Sequence, residues 1–372
     1  MDNSRFGTPS KEWMAYGEAH PELDINSDGF KDSIFPTPKA LRAAANSAKE
    51  AASLALFVRD GLSAKVSITK HDIPTRDGSS ISMRTYRPAG LDASRVLPAY
   101  VYYHGGGMLF GTPDGEAYSC ATWADQLGSA AGTEAVAIIH VCYRHTPEHT
   151  HPRQHDDAWD AFEWIVNNAS SLGVDPTRLV VGGVSAGGSL TASVVFREVG
   201  AAKREGRAVR IQGQLLIIPW LVHRDAYPLE MFADRDRASV VQCEGSPTLP
   251  RPRYDMFTDL CKVEDCRDPL MNVGLATEED IRGTPRTAIV AAGYDMLRDE
   301  AFIYAEKLER LGCPTKKHIF PGLPHAFRKY PDLPSSKRWD ELTLEGIRWC
   351  LDSSAGGHAA GDWKVEVPEQ YR

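Results

Sequence analysis

The sequence is poor in the features that mark several large classes of protein. Its seven cysteines are an odd count without regular spacing. Cys261 and Cys266 do not form a zinc-type C-x-x-C, so free thiols in a reducing compartment are the simplest reading. No apolar run approaches about 18 residues, so no membrane span is expected. The opening Met1-Asp-Asn-Ser-Arg-Phe6 lacks a basic region followed by an apolar core. No signal peptide is therefore expected, and the expected location is cytoplasmic. Basic charge is in deficit: 42 Lys and Arg against 50 Asp and Glu leave a formal charge of −8. That balance argues against nucleic acid or an anionic membrane as a partner. Neither G-x-G-x-x-G nor G-x-x-x-x-G-K-[ST] occurs, which argues against a dehydrogenase or a kinase. There is no internal repeat and no low-complexity block.

What is present is an ordinary globular composition, 42% hydrophobic and 25% charged, over 372 residues. That length allows one large or two modest domains. The chain is organised around Leu179-Val-Val-Gly-Gly-Val-Ser-Ala-Gly-Gly188. A short apolar, β-branched run predicts a buried strand. Gly183-Val-Ser-Ala-Gly187 then fits G-x-S-x-G, and a helix follows from about Ala186. A serine hydroxyl is a weak nucleophile, so a base and a carbonyl must both reach it. A sharp strand-to-helix turn lifts Ser185 out of the sheet, and glycine on either side relieves the crowding. The amide of Ala186 at the helix N-terminus can then bind a developing oxyanion.

The rest of the chain supplies a frame for such a turn. Lys65–Lys70 and Ile81–Tyr86 alternate apolar and polar residues about an Asp77-Gly78 turn, which predicts an edge hairpin. Ala99–Tyr103, Ala135–Val141, Leu179–Val181, Leu215–Ile218, Ala288–Ala292 and Lys316–Phe320 read as strands, several buried on both faces. Helical patterns over Ala121–Ala131, Asp156–Ser170, Asp299–Leu311 and Trp339–Leu351 alternate with them. Strand alternating with helix predicts an α/β fold with a mostly parallel central sheet flanked by helices. Ligands bind such sheets at the carboxyl ends of the strands.

His104-Gly-Gly-Gly107 directly follows the Ala99–Tyr103 strand. Successive glycines expose backbone amides, as an oxyanion requires. His104 precedes the glycines and is expected to hold the loop by hydrogen bonds, with Gly105 as part of that support. His145, His149 and His151 resemble a metal cluster, but Pro147 forbids a regular helix across them and no carboxylate stands at ligand spacing. No metal is expected there. Arg144, Glu148, Asp156 and Asp157 are expected to form a structural polar network instead.

Two more segments complete the constellation. Asp295 follows the Ala288–Ala292 strand, and His325 lies in Gly322-Leu-Pro-His-Ala-Phe327 after the last strand. The order Ser185, Asp295, His325 is that of an α/β-hydrolase triad. Asp299 and Glu300 read as the acidic first turn of the next helix. From 219 to 282 the strand–helix rhythm is lost, as in an insertion capping an active site. Its Trp220, Phe232, Tyr254, Met256 and Phe257 either contact substrate or pack as a small core. Trp13, Met14, Phe30 and Phe35 near the N-terminus either line a pocket or anchor an arm.

Together, His104-Gly-Gly-Gly107, Tyr143-Arg144 with Pro147-Glu148-His149, Gly183-Val-Ser-Ala-Gly-Gly188, Asp295-Met-Leu-Arg-Asp-Glu300 and His325-Ala-Phe327 resemble the hormone-sensitive-lipase family of α/β-hydrolase esterases. The likeness runs from about residue 95 to 350. It implies an α/β-hydrolase fold with a helical cap, Ser185 as nucleophile, His325 as base and Asp295 as its orienter. It also implies oxyanion amides from Gly106, Gly107 and Ala186, a small-molecule ester substrate and no cofactor. The expected organisation is an N-terminal cap or arm (1–60), a catalytic core (61–219 and 283–355), a cap insertion (220–282) and a C-terminal tail (356–372). Val184, where the family often has an acid, and His145-Thr146, where it has Leu-Ala, depart from the pattern. A biosynthetic enzyme acting on a lactone, thioester or acetylated product uses the same residues and stays open. So does the choice between monomer and homodimer. A non-catalytic small-molecule receptor on the same fold is the remaining rival; receptors of this kind lose a triad member, and here all three are present.

Overall fold

Apolar runs with β-branched residues become the middle of one sheet. In a computed structural model, described over residues 1–21, 34–92, 94–129, 134–352 and 361–372, nine strands pair side by side. They are β1 (Val66–Pro74), β2 (Ser80–Pro88), β3 (Leu97–Tyr103), β4 (Ala137–Cys142), β5 (Val174–Val184), β6 (Ile211–Ile217), β7 (Arg286–Tyr294), β8 (Thr315–Pro324) and β9 (Lys364–Val365). The order across the sheet is β1-β2-β4-β3-β5-β6-β7-β8-β9. β2 runs antiparallel to both β1 and β4. The remaining neighbours are parallel.

The period-2 pattern of the strands divides the core. Ala99, Val101 and Tyr103 of β3 face one layer, and Tyr100 and Tyr102 face the other. Leu179 and Val181 of β5 join the first layer, and Val180 joins the second. Helices Arg153–Asn167 and Ala186–Glu205 cover the first face, and Arg298–Arg310 packs on β7 and β8. Helices Ala117–Ser129 and Pro334–Leu351 cover the second face. Every residue of β3 is buried, as parallel strands between two helical layers require.

Two regions lie outside this sandwich. Residues 220–282 contain short helices at Ser239–Gln242, Arg251–Cys261 and Glu278–Ile281. The buried Trp220, Phe232, Tyr254 and Phe257 of this region belong to the same apolar cluster as β3 and β5. The N-terminal arm is tied down closely. Trp13 is buried against Tyr16 and Tyr330, and Ser335 donates twice to the buried Glu12 carboxylate, from its amide at 2.8 Å and its hydroxyl at 2.7 Å. Met14 faces solvent, Phe35 packs on the core, and Phe30 lies outside the described residues. The long helix Pro38–Arg59 follows, with the Thr37 hydroxyl accepting from the Ala40 amide at its start. At the other end of the chain, β9 pairs with β8, and Trp363 stacks on Phe302 with centroids 4.0 Å apart. No signal for β9 was legible in its two residues.

Candidate active site

The turn after β5 is built by exclusion of side chains. A methyl group on Gly183 would lie 2.2 Å from the Gly187 carbonyl oxygen, and one on Gly187 would lie 2.0 Å from that of Tyr103. Glycine alone lets β3, β5 and the following helix approach this closely. Between the two, Ser185 adopts φ 57° and ψ −117°, a conformation that costs about 1–3 kcal/mol in a residue with a side chain. The surroundings hold it there: the Ser185 amide donates to Ile217 O (2.9 Å) and the Trp220 amide donates to Ser185 O (3.1 Å).

His325 stands just past the end of β8, and Asp295 just past the end of β7. His325 Nδ1 lies 2.7 Å from Asp295 Oδ2, and His325 Nε2 lies 2.9 Å from Ser185 Oγ. The carboxylate only accepts, so Nδ1 carries the proton, Nε2 is the acceptor, and the serine hydroxyl donates to it. The other oxygen of Asp295 accepts from the Leu297 amide at 2.9 Å, which fixes the acid's orientation. Relative exposures of 9% for Ser185, 6% for His325 and 1% for Asp295 leave little water to compete with these bonds.

The glycine loop lies beside this line. A methyl on Gly105 would come within 3.5 Å of Ser185 Cβ. Gly106 and Gly107 take φ values of 127° and 60°, and the Leu109 and Phe110 amides donate to Gly106 O. Among the described residues no acceptor meets the amides of Gly106, Gly107 or Ala186. His104 Nδ1 donates to Gly105 O at 2.9 Å, its ring stacks on Tyr143, and Tyr143 Oη donates to His104 O at 2.8 Å. Burial pushes the His104 pKa down to about 3, so its ring is neutral near pH 7.

The histidine-rich segment carries ion pairs. Arg144 Nε donates to Asp157 Oδ2 at 2.9 Å, and its guanidinium also reaches Asp77 at 2.8 Å. Glu148 receives both arms of Arg42 at 2.7 Å, and Asp156 pairs with Arg197 at 2.8 Å. Among the described residues no group of three or more His, Cys, Asp or Glu is arranged to hold a metal. Of the two departures from the family pattern, Val184 is half-buried and Thr146 donates to Met108 O beside the glycine loop.

Several residues support the site through contacts that only the fold creates. Phe257 presses on the glycine loop: a methyl on Gly107 would lie 2.3 Å from its ring. Glu300 stands in the acidic first turn of the helix Arg298–Arg310, as expected, and also accepts from the Leu221 and Val222 amides at 2.5 and 2.9 Å. It is fully buried, and burial with the nearby Asp295 and Asp299 raises its pKa well above the usual carboxyl range. Residues 6 to 10 also reach the loops that carry Asp295 and His325. The Phe6 carbonyl closes over Gly293, and Ser10 donates its amide to Gly322 O at 3.1 Å. A glycine two residues before Asp295 and another three before His325 were the available hints that something crosses there.

The likeness to known proteins agrees with this geometry. Residues 100–329 match the Abhydrolase_3 family, described as an alpha/beta hydrolase fold. The chain is 30% identical over 286 residues to a versiconal hemiacetal acetate esterase of Dothistroma septosporum, covering 77% of this chain and 82% of that protein. It is 31% identical over 264 residues to an ethyl acetate hydrolase of Pseudomonas putida, covering 70% and 76% respectively. Among solved structures, a vibralactone cyclase superposes with a TM-score of 0.80 at 25% identity, covering 93% of this chain and 96% of that one. A family match over more than half the chain, with esterases aligned over more than two thirds of it, means that the chain belongs to the Abhydrolase_3 family of α/β hydrolases.

Proposed function

We propose that the protein is a serine esterase that hydrolyses small carboxylic esters through an acyl-enzyme. The observation that carries the reading is the placement of His325, 2.9 Å from Ser185 Oγ and 2.7 Å from Asp295 Oδ2. His325 takes the hydroxyl proton as Ser185 Oγ attacks the ester carbonyl. The tetrahedral oxygen takes up the negative charge, and the unoccupied amides of Gly106, Gly107 and Ala186 stabilise it. One such donor is worth about 3 kcal/mol. Asp295 stabilises the imidazolium without taking its proton. His325 then protonates the leaving alkoxide, activates a water to attack the acyl carbon, and returns the proton to Ser185. No step requires a metal or an organic cofactor.

The acetate-ester relatives favour short acyl groups, with residues 1–60 and 220–282 as the cap over the site. Seven free cysteines support a reducing, cytoplasmic location. Ser185→Ala tests the reading: turnover of p-nitrophenyl acetate is expected to fall by about 10⁴-fold or more. Near-normal activity in that variant would falsify it. The likeness to a cyclase over 93% of the chain supports a second reading, in which an internal nucleophile of the substrate captures the acyl-enzyme in place of water. Silence on a panel of simple esters, together with full labelling of Ser185 by a fluorophosphonate, is the result that would favour it.

A further inference from the structure

The helix Pro38–Arg59 turns one polar stripe toward the glycine loop and the chain that descends from it. Positions 42, 46, 49 and 53 share one helical face. Arg42 donates to Thr146 O at 2.8 Å, and Thr146 in turn donates its amide to Met108 O at 2.9 Å. Asn46 Oδ1 accepts the Gly111 amide at 2.9 Å. Lys49 pairs with the buried Glu116, which also accepts from Tyr102 Oη at 3.2 Å. The Ser53 hydroxyl donates to Asp114 O at 2.7 Å and accepts the Tyr118 amide at 3.1 Å. Four consecutive stations of the helix thus hold the segment from Met108 to Tyr118.

The second of these stations bears on the catalytic amides. Gly111 has φ 127°, and a methyl group there would lie 2.1 Å from the His104 ring. Asn46 therefore seats bare backbone directly against the imidazole that opens the glycine run. That imidazole bonds Gly105 O, and the next two residues are Gly106 and Gly107. The path from helix to oxyanion amides runs through contacts with no slack: Asn46, Gly111, His104, Gly105.

We propose that the helix Pro38–Arg59 is a clamp that sets the direction of the oxyanion amides, with Asn46 and Lys49 as its positioning residues. The proposal rests on the acyl-enzyme reading above. It assigns the N-terminal segment a part in the chemical step, beyond covering the site. Loss of the clamp leaves ground-state binding of a small ester nearly intact, because the amides act on charge that develops only in the transition state.

The test uses the full chain and three variants. Asn46→Leu removes the acceptor for Gly111, and Asn46→Asp keeps an acceptor oxygen at the same reach. With p-nitrophenyl acetate, Asn46→Leu is expected to lower kcat by about 10- to 100-fold, with KM within about twofold. The inhibition constant of a trifluoromethyl ketone, whose hemiketal anion sits on the same amides, should rise by a matching factor. Asn46→Asp should restore most of both. A folded Asn46→Leu with unchanged kcat and inhibition constant overturns the clamp. So does equal damage in the leucine and aspartate variants. If Asn46→Leu does not fold, Lys49→Met combined with Glu116→Gln removes the next tie without stranding a buried charge, and is read by the same criteria. Ser185→Ala is measured alongside. Activity surviving there sinks the acyl-enzyme reading itself, whereas activity lost there but untouched in Asn46→Leu sinks only the clamp.

Discussion

Replacing Glu300 with glutamine should make the protein gain stability over the wild type as the pH rises from 5 to 8. The reason lies in where the carboxyl sits. It is fully buried, it accepts two backbone amides through one oxygen, and Asp295 and Asp299 stand close by. Burial raises its pKa well above the ordinary 4.5 and outweighs the Leu221 and Val222 amides, which lower it; the two neighbouring acids add to the rise. In the unfolded chain the same group ionises near 4.5. A raised folded value gives stability that is complete below the unfolded pKa and is lost as the pH rises toward the folded one. In that window each pH unit removes about 1.4 kcal/mol from the wild type. Glutamine keeps the shape and the acceptor oxygen, carries no proton and lacks the slope. Alanine behaves differently. It strands the Leu221 and Val222 amides, each buried and each worth about 1–3 kcal/mol when unpaired, for a total of about 4 kcal/mol. It should also lower kcat, since the neighbouring Trp220 amide holds Ser185 O. Urea unfolding of the wild type and both variants at pH 5, 6, 7 and 8 reads all of this. Parallel pH profiles for wild type and glutamine would show that the group is ionised in the native protein and refute the reasoning.

Further expectations concern other parts of the molecule. Gly107→Ala forces a methyl group into the Phe257 ring at a positive φ, so kcat should fall by at least about tenfold and the unfolding midpoint should drop with it; pairing it with Phe257→Ala should recover part of the kcat loss if the clash is the cause. Arg144→Met leaves the buried Asp157 carboxylate without its ion pair and should cost about 3–5 kcal/mol in urea, with Arg144→Met/Asp157→Asn recovering much of it. Burial pushes the Glu366 carboxyl up, but hydrogen bonds from His318 and Arg338 outweigh that and hold it down at about 2. A lowered folded pKa gives stability that is present above 4.5 and lost as the pH falls toward 2. Acid titration of the unfolding midpoint should therefore show a step in this range that Glu366→Gln lacks.

The parts of the fold that were legible share a physical origin. Strands β3, β5, β6 and β7 were visible because a strand buried on both faces needs an unbroken apolar run. The β1–β2 hairpin was visible because alternation and the Asp77-Gly78 turn are local. β9 was not, because two residues carry no period and its pairing with β8 is set from 46 positions away, Lys364 opposite His318. The C-terminal segment thus adds an edge to the sheet, through Trp363 on Phe302, the Glu366–Arg338 ion pair and the contact of Glu366 with His318. Glu300 was visible as an acid at a helix start. Its work on the Leu221 and Val222 amides was not, since those lie 79 and 78 residues earlier.

Residue types with a single strong local reason were written in the chain. Glycines at 183 and 187 are forced by the approach of neighbouring backbone, those at 106 and 107 by their positive φ, and the order of Ser185, Asp295 and His325 by the sequence of strands that bear them. Tertiary structure alone decided the separations. Ser185 and His325 are 140 residues apart along the chain and 2.9 Å apart in space, because stacking of β5 to β8 between two helical layers puts their carboxyl ends on one rim. It also decided which surfaces lean on that rim: Phe257 on Gly107, the Phe6 carbonyl over Gly293, and Asn46 on Gly111. Such contacts depend on shape and on hydrogen-bond direction between segments that meet only after folding, and no stretch of sequence read by itself contains them.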